Sequence, residues 1–448
     1  MAFDSFLFSC RVWALGAVAA LGLAGLVDTA QACEPLAEAS ARQLTPGLVL
    51  ERTATCHPDV LAARRQLATA RADTQTAGQR PNPQLTLGIG SLGEDIGPGG
   101  LWDKTFDHQL RIDQLIERGD KPALRLTAAQ ALYDAAQADV LEVVRKSRLA
   151  GLRGLYDLEA ALTRQTELTA TARLYAESQT AYEKREAAGD VAPLDVARFR
   201  LDALRLQSDL AQAESDVQSQ RLQLAILLRA EPVSKLLAPQ LIEPANTARR
   251  LPEESNTNQL VTSRPDVAAA NARLAAAQAT RALALAQRTR DVSVGVGFNR
   301  FPASSTNTTG SGNTVSLSVT IPLFLRHSYE GELARADADI GVAEDALRRT
   351  QLAAQTDASR ALRQWQIARD RLLLASNTIY PAAEKVAAGA ELAYRRGAST
   401  VLDALEARRA LRSARIERIS AQAEFAKADA ELDAALLPTD NLPVSLSK

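Results

Sequence analysis

The sequence His57-Pro58-Asp59-Val60 recurs as Arg264-Pro265-Asp266-Val267 in the second half of the 448-residue chain. Each copy opens a run rich in Ala, Leu, Arg and Gln, over 61–78 in the first half and 268–288 in the second. A motif that recurs and is followed each time by the same type of segment indicates a duplicated structural unit. The sequence therefore predicts two tandem copies of one unit, each beginning with a helix.

Two short alternating segments follow the helical run in each copy, joined by a Gly-rich polar loop. They are Leu85–Ile89 and Phe106–Ile112 in the first copy, and Val292–Phe298 and Val315–Ile321 in the second. Strict alternation predicts strands, and their lengths approach the ~9–11 residues of tilted membrane strands. A soluble hairpin sheet is the alternative. Four strands cannot close a barrel, because the smallest use ~8, so a membrane barrel requires several copies of the chain.

A very long helical segment then begins in each copy, beyond Arg118 and Arg326. Between Pro122 and Pro193 the chain has no proline, and Gly151 and Gly154 are its only glycines before Gly189. About 66 helical residues at ~1.5 Å each give a rod of ~100 Å, far longer than a small domain. The predicted fold is mainly α with a small β part, in which long helices project from the strands.

The last predicted helix carries two apolar stripes instead of the single stripe of a simple coiled coil. One contains Ala407, Leu411, Ala414, Ala421, Phe425, Ala428, Leu432 and Ala435, with Arg418 as an interruption; the other contains Ile416, Ile419, Ala423, Ala426 and Ala430. A helix that is apolar on two sides needs neighbours on two sides. This pattern predicts the wall of a helical barrel, with small Ala residues in the seams.

The composition excludes several function classes. The net charge of −1 argues against nucleic-acid binding, and three His and three Cys cannot supply a rich transition-metal site. His57, His108 and His327 lie on separate predicted elements and are read as surface or packing residues. The sequence contains no catalytic triad spacing, phosphate loop or dinucleotide fingerprint. We therefore predict a protein without enzymatic activity and without a cofactor.

Residues 1–32 have the charged start, apolar centre and A-x-A end of a secretory signal peptide. The predicted organisation continues with an N-terminal segment over 33–52, a first repeat over 53–240, a second over 241–437 and a tail over 438–448. Cleavage after residue 32 would leave Cys33 and Cys56 in an oxidising compartment. Three readings stay open: a Cys33–Cys56 disulfide, lipid on Cys33, or two free thiols.

Together, the signal peptide, the tandem repeat, the paired strands and the long helices resemble the TolC family of outer-membrane efflux proteins. The resemblance covers the chain from about Thr53 to Leu437 and implies a homotrimer with a twelve-stranded barrel in the outer membrane. It also implies a helical tunnel across the periplasm. The stretch Ile116-Glu-Arg-Gly-Asp-Lys-Pro-Ala-Leu-Arg125 is similar to that of the heavy-metal efflux subgroup, although Gly-Asp-Lys-Pro replaces the usual double Gly and Lys-Arg.

The segment Tyr394 to Glu406 is similar to the family's tunnel-end motif, Y-x-x-G-x-x-x-x-x-D-x-x-[DE]. The resemblance implies a periplasmic selectivity ring of Asp403 and Glu406, with Tyr394 as a gate contact. Ser399 replaces the family's Arg, so the ionic latch is either remade by Arg395 or Arg396 or absent. Asp403 and Glu406 lie one helical turn apart and face one way; an ordinary solvated acidic face is the alternative.

Two predicted turns are candidates for docking a periplasmic adaptor, as the family resemblance implies. They contain Gly189, Leu194 and Asp195 in the first repeat, and Gly397 and Leu402 in the second. Pure turn geometry is the competing explanation, because Gly permits a tight backbone and Pro193 suits the start of a helix.

The expected function is a passive exit duct of a tripartite efflux system, fed by an inner-membrane pump, of the RND type in this interpretation, through the adaptor. Metal cations are the preferred substrate. The alternatives are a similar duct for drugs or a secreted protein, the periplasmic adaptor itself, and a coiled-coil scaffold.

Overall fold

A computed structural model describes residues 44–90, 107–189, 191–230, 261–301 and 312–436. In the first half, α1 spans Pro46–Cys56, α2 Pro58–Gly78, β1 Gln84–Gly90, β2 Asp107–Ile116, α3 Lys121–Ala187 and α4 Pro193–Leu228. In the second half, α5 spans Pro265–Ala286, β3 Val292–Phe301, β4 Gly312–Thr320, α6 Glu330–Leu374, a π-helical turn Ala375–Ile379, α7 Tyr380–Arg395 and α8 Val401–Leu436. Several helices begin on proline, whose fixed φ and missing N–H suit the first helical position.

The four strands form one antiparallel sheet in the order β1-β2-β3-β4. The β2–β3 pairing joins the two halves of the chain, from His108 opposite Arg300 to Ile116 opposite Val292. β1 and β4 are therefore the edge strands. One face of the sheet carries exposed apolar side chains from all four strands, whereas the opposite face carries mostly Thr, Gln, Gly and Ser, with three charged residues of β2, Asp107, Arg111 and Asp113.

All four predicted strands are confirmed, with shifted ends. β2 extends to Ile116, because its ladder with β3 continues past the alternating segment. β4 ends at Thr320 instead of Ile321, where the next residue is Pro322, which has no N–H to donate to a ladder. Phe106, the predicted first residue of β2, lies outside the described residues.

The long helices pack side by side, and α3 and α8 have the most helical neighbours. Around α3 pack α2, α4, α5 and α8, and α8 also contacts α6 and α7. The prediction that the last helix has neighbours on two sides is thus confirmed. Between α6 and α8, Trp365 and Phe425 are fully buried with ring centroids 5.8 Å apart. The Trp365 indole N–H donates to Asp429 Oδ1 of α8 at 2.9 Å.

Arg418, the interruption in the first apolar stripe, has a specific partner. Its guanidinium carbon lies 4.2 Å from the ring centroid of Tyr380, a cation–π geometry. Tyr380 follows the π-helical turn 375–379, and Pro381 follows Tyr380. Because proline removes one helical hydrogen bond, it accounts for the local widening of the helix here.

The departure Gly-Asp-Lys-Pro at 119–122 builds the junction between the sheet and α3. Gly119 and Asp120 both have left-handed backbones, with φ of 72° and 56°. A Cβ on Gly119 would lie 2.9 Å from the Thr289 side chain. The following Lys121 is buried and donates to Asp291 Oδ1 and to the Thr289 carbonyl, both at 2.8 Å. This lysine therefore ties the first half of the chain to the entrance of β3.

Among the described residues, no helix combines the length and the apolar character needed to cross a lipid bilayer.

Gly151 and Gly154, the two glycines inside α3, provide a matched test of this packing. A Cβ on Gly151 would lie 2.6 Å from Thr53 Cγ2 and 3.0 Å from Val49 Cγ1 on α1, whereas a Cβ on Gly154 would meet Leu224 Cδ1 at 3.3 Å. Both Ala substitutions gain up to ~1 kcal/mol of helix propensity, but only Gly151→Ala forces α1 away, at a cost of ~1–3 kcal/mol.

We expect Gly151→Ala to lower the thermal transition of the assembled protein in detergent, followed by circular dichroism. Gly154→Ala should leave that transition unchanged or raise it. Equal behaviour of the two variants would contradict the close approach of α1 and α3.

Candidate functional site

Two glycine turns form the end of the molecule farthest from the sheet. Gly189 follows the end of α3 with φ of 77°, and Gly397 follows the end of α7 with φ of 74°. The Gly189 amide donates to the Glu186 carbonyl at 2.9 Å, and the Gly397 amide donates to that of Tyr394 at the same distance. Both positions use the left-handed backbone that glycine adopts without strain, so turn geometry alone explains these glycines.

The structure brings the two turns together through aromatic side chains. The Tyr182 ring lies 4.8 Å from Phe199 and 6.1 Å from Tyr394, measured between centroids. Arg185 Nη1 donates to the Tyr394 hydroxyl at 2.7 Å. Burial, followed by the neighbouring Tyr394 hydroxyl, raises the pKa of Tyr182 above its ordinary value. Tyr394 is thus held between two residues of the first repeat.

Asp403 has a structural task in this chain. Thr400 Oγ1 accepts from the Asp403 amide at 3.2 Å, while Asp403 Oδ2 accepts from the Thr400 amide at 3.0 Å and from its hydroxyl at 2.8 Å. These reciprocal bonds are a capping box at the start of α8. The bonds from the Thr400 side chain and backbone lower the pKa of Asp403, so its carboxylate stays ionised at neutral pH.

Glu406 lies one turn further along the exposed face of α8, with a side chain 66% exposed. Its nearest cation is Arg409, at 3.6 Å, but Arg409 binds a second carboxylate through two nitrogens. That carboxylate belongs to Asp202 on α4 and is only 5% exposed. The hydrogen bond to Asp202 raises the pKa of Arg409. This ion pair, between the buried Asp202 and the partly exposed Arg409, links the two repeats a few turns from the tips.

Arg395, one of the two predicted latch residues, donates from Nε to Glu391 Oε1 at 3.1 Å on its own helix. Glu391 also accepts from Arg408 Nη2 at 2.6 Å. Burial opposes ionisation of Glu391, but the two arginines prevail and lower its pKa. Arg396 is exposed at the end of α7. Arg185, from the other repeat, is the residue that reaches Tyr394.

The remaining predicted tip residues surround the turns. Leu194 and Leu402 are 61% and 39% exposed, and Asp195 Oδ1 lies 3.4 Å from Arg198 Nη1 in the first turn of α4. A Cβ at Gly189 or Gly397 would meet no atom within 4 Å. The tips therefore present open backbone and two apolar side chains to their surroundings.

Sequence reasoning missed Arg185, Tyr182, Asp202 and Arg409. The contact from Arg185 to Tyr394 joins residues in different repeats, and periodicity within one helix carries no information about it. The capping box, in contrast, had a local signal: Thr400-Val-Leu-Asp403 is the T-x-x-D pattern that marks a helix start.

Cys56 takes part in a disulfide. Its partner lies outside the described residues, as does Cys33, so the pairing of Cys33 with Cys56 stays a prediction. Within the described ranges, no group of three or more His, Cys, Asp or Glu side chains could hold a metal ion.

A sheet with one apolar face, a helix of ~100 Å (α3) and paired glycine turns at the far end are the architecture expected of an outer-membrane channel with a helical tunnel. The sequence profile described as outer membrane efflux protein matches this chain twice, over residues 49–228 and 256–436. The chain belongs to the outer membrane efflux protein family, which confirms the resemblance drawn from its motifs. The protein is therefore located in the outer membrane, and members of its family are transport ducts, not enzymes.

Individual relatives agree with this assignment. The cobalt-zinc-cadmium resistance protein CzcC of Cupriavidus metallidurans is 25% identical over 88% of this chain and 90% of its own length. The pyoverdine export outer membrane protein OpmQ of Pseudomonas putida is 26% identical over 84% of this chain and 82% of its own. The solved structure of CusC has a TM-score of 0.73 at 18% identity, covering 87% of this chain and 91% of CusC. The expected fold class is thereby confirmed, and the adaptor and scaffold alternatives are wrong.

Two substitutions in the capping box test separately whether the hydrogen bonds or the charge of Asp403 stabilise the start of α8. Thr400→Val removes the side-chain cap and should destabilise the start of α8 by ~1 kcal/mol, seen as faster amide hydrogen exchange over 401–404. Asp403→Asn keeps an acceptor for the Thr400 amide and should leave that exchange nearly unchanged. Fast exchange in Asp403→Asn would mean that the cap depends on the charge itself.

Proposed function

We propose that this chain forms a homotrimeric exit duct that conducts divalent metal cations from an inner-membrane pump and a periplasmic adaptor to the exterior. The observation that carries the proposal is the four-stranded sheet. It has one apolar face, and the backbone groups along the outer edges of β1 and β4 need further strands as partners in lipid. Three copies give twelve strands, as the family resemblance implies. The partner assignment, an adaptor with a pump of the RND type, rests on the same family relationship.

The apolar face of the sheet has the character of a lipid-facing surface. Its exposed side chains include Leu85, Leu87, Ile89, Leu110, Ile112, Val296, Val315, Leu317 and Val319. In lipid every backbone polar group needs a partner within the protein, so only a closed barrel is stable there. Pairing of β4 with β1 of the next copy meets both needs at once, since it removes the edges and turns the apolar face outward.

The helices have the length that a tunnel across the periplasm requires. α3 contains 67 residues, which corresponds to ~100 Å. Its small buried residues, such as Ala128, Ala135 and Ala138, let neighbouring helices approach closely. These helices end at the glycine turns, so the turns lie farthest from the membrane and face the pump side. The open backbone at Gly189 and Gly397, with Leu194, Asp195 and Leu402 beside it, is the surface that we assign to adaptor docking.

Two features favour metal cations as the substrate. Asp403 and Glu406 are both exposed at the tip, and in a trimer they place six carboxylates around the entrance, which attracts cations and slows anions. CzcC, a relative matched over nearly its whole length, is named for resistance to cobalt, zinc and cadmium. OpmQ, a relative of similar identity, exports pyoverdine, which makes a larger organic substrate the second candidate.

The acidic ring is tested with charge-neutral variants of the purified protein in planar lipid bilayers. Asp403→Asn/Glu406→Gln should reduce the cation-to-anion permeability ratio about threefold or more, because six carboxylates leave the entrance. Glu417→Gln on the same helix serves as a control away from the tip. An unchanged ratio in the double variant would reject the ring, and organic substrates would then be the better candidates.

The closed tip depends, in this proposal, on contacts between the repeats. Arg185 holds Tyr394, and the Asp202–Arg409 pair holds α4 against α8. Removing one member of a buried ion pair leaves an uncompensated charge, which is strongly destabilising. Opening of the duct therefore requires these contacts to separate, as the two helical hairpins move apart at the tip.

Arg409→Leu leaves the buried Asp202 carboxylate unpaired and should raise single-channel conductance several-fold, because it favours the open tip. Asp202→Leu/Arg409→Leu replaces the pair with apolar side chains and should restore low conductance. Arg371→Gln, which breaks an exposed pair with Glu424 inside the second repeat, is the matched control. Equal conductance in the control and in Arg409→Leu would show that the Asp202–Arg409 pair does not hold the tip closed.

A further inference from the structure

The polar face of the sheet holds an ion pair that the tip mechanism does not use. Arg111 Nε and Nη2 both donate to Asp113 Oδ1, at 2.9 and 2.7 Å. The two residues are neighbours on the same face of β2, since side chains two apart in a strand point the same way. The Arg111 side chain is 33% exposed and that of Asp113 20%, so the cation is the more accessible partner.

One glycine on β3, Gly295, makes room for this ion pair. Gly297 lies opposite Arg111 and Gly295 opposite Asp113 in the ladder. A Cβ on Gly295 would overlap Asp113 Oδ1 and would lie 2.6 Å from Ser318 Oγ and 3.1 Å from Arg111 Nε. Gly295 is therefore the seat of the pair, since any side chain there would push the Asp113 carboxylate away from the strand.

The serines beside the seat bond to the backbone of β3. Ser316 Oγ donates to the Gly297 carbonyl at 3.4 Å and Ser318 Oγ to the Gly295 carbonyl at 3.3 Å. Asp113 is thus the carboxylate that accepts the Arg111 guanidinium. Within the described parts of the strands, alternation puts three charged side chains on this face: Asp107, Arg111 and Asp113.

We infer that Asp113 is a specificity-determining residue of the membrane barrel, which masks Arg111 so that cations pass. This inference rests on the proposed function, in which the polar face lines the pore. An unmasked guanidinium repeated in three copies would form a ring of positive charge across the pore, and such rings favour anions. Because Asp113 stands beside Arg111, each copy contributes two acidic side chains and one basic side chain to this face, and this layer of the pore stays permissive to cations. The layer is separate from the acidic tip, because a long helix stands between them.

The test measures reversal potentials of the full-length trimer in planar bilayers under a KCl gradient. Asp113→Asn should lower the potassium-to-chloride permeability ratio about threefold, because three guanidinium charges would face the pore without a carboxylate beside them. Arg111→Gln should raise the ratio, and Arg111→Gln/Asp113→Asn should return it close to that of the unaltered protein. Asp107→Asn also removes a carboxylate from this face but leaves Arg111 masked, so its shift should be smaller.

The outcomes separate this inference from the proposed function. Channels that conduct normally but show the same ratio in Asp113→Asn as in the unaltered protein overturn the masking role alone. Equal shifts in Asp113→Asn and Asp107→Asn also overturn it, since total charge would then decide selectivity. An unaltered protein that forms no conducting trimers defeats the proposed function itself. Heat-resistant trimer bands on gels for every variant show that loss of folding does not explain a shift.

Discussion

The backbone donors and acceptors along the outer edges of β1 and β4 need hydrogen-bond partners, and the rest of the structure depends on this constraint. A four-stranded sheet has a row of backbone donors and acceptors along each edge, and such rows invite another strand. In water a bulge or a charged side chain can protect an edge, but in lipid an unpaired edge is too costly. The proposed assembly meets this constraint, because β4 of one copy pairs with β1 of the next and no edge is left in lipid.

The helices are held together by two kinds of contact, apolar packing and ion pairs. Within the second repeat, α6 and α8 pack through Trp365, Phe425 and a row of alanines. Between the repeats, α8 meets the first half through ion pairs, including Lys427 with Asp157 at 2.7 Å and Arg415 with Glu167 at 3.3 Å. Closely packed apolar side chains leave little room for movement, whereas partly exposed ion pairs contribute little to stability. The two repeats are therefore joined by these ion pairs and also by apolar packing at the tip, where Val401 and Leu405 of α8 lie in one buried cluster with Phe199 of α4.

Much of the architecture was readable from the sequence because it depends on local periodicity. Alternation identified the strands, and the absence of breakers identified α3 almost to its ends. The end of β2 was less accessible, because Ile116 is held in the ladder by Val292 from the other repeat. The residues of the candidate site also fall into a group that the sequence reveals and a group that it does not. Tyr394, Asp403 and Glu406 belong to one motif, whereas Arg185 and Asp202 reach the tip from a different part of the chain, so only three-dimensional packing reveals them.

The pairing of β2 with β3 also sets an order of folding. These strands are neighbours in the sheet, yet the whole first helical hairpin lies between them in the sequence. Ladders between distant segments form slowly, because a large loop must close before the first bond is gained. The helical hairpin of the first repeat, whose contacts are local, can form while the second repeat is still incomplete. The sheet is therefore expected to form late, because its central ladder needs residues 292–301 of the second repeat.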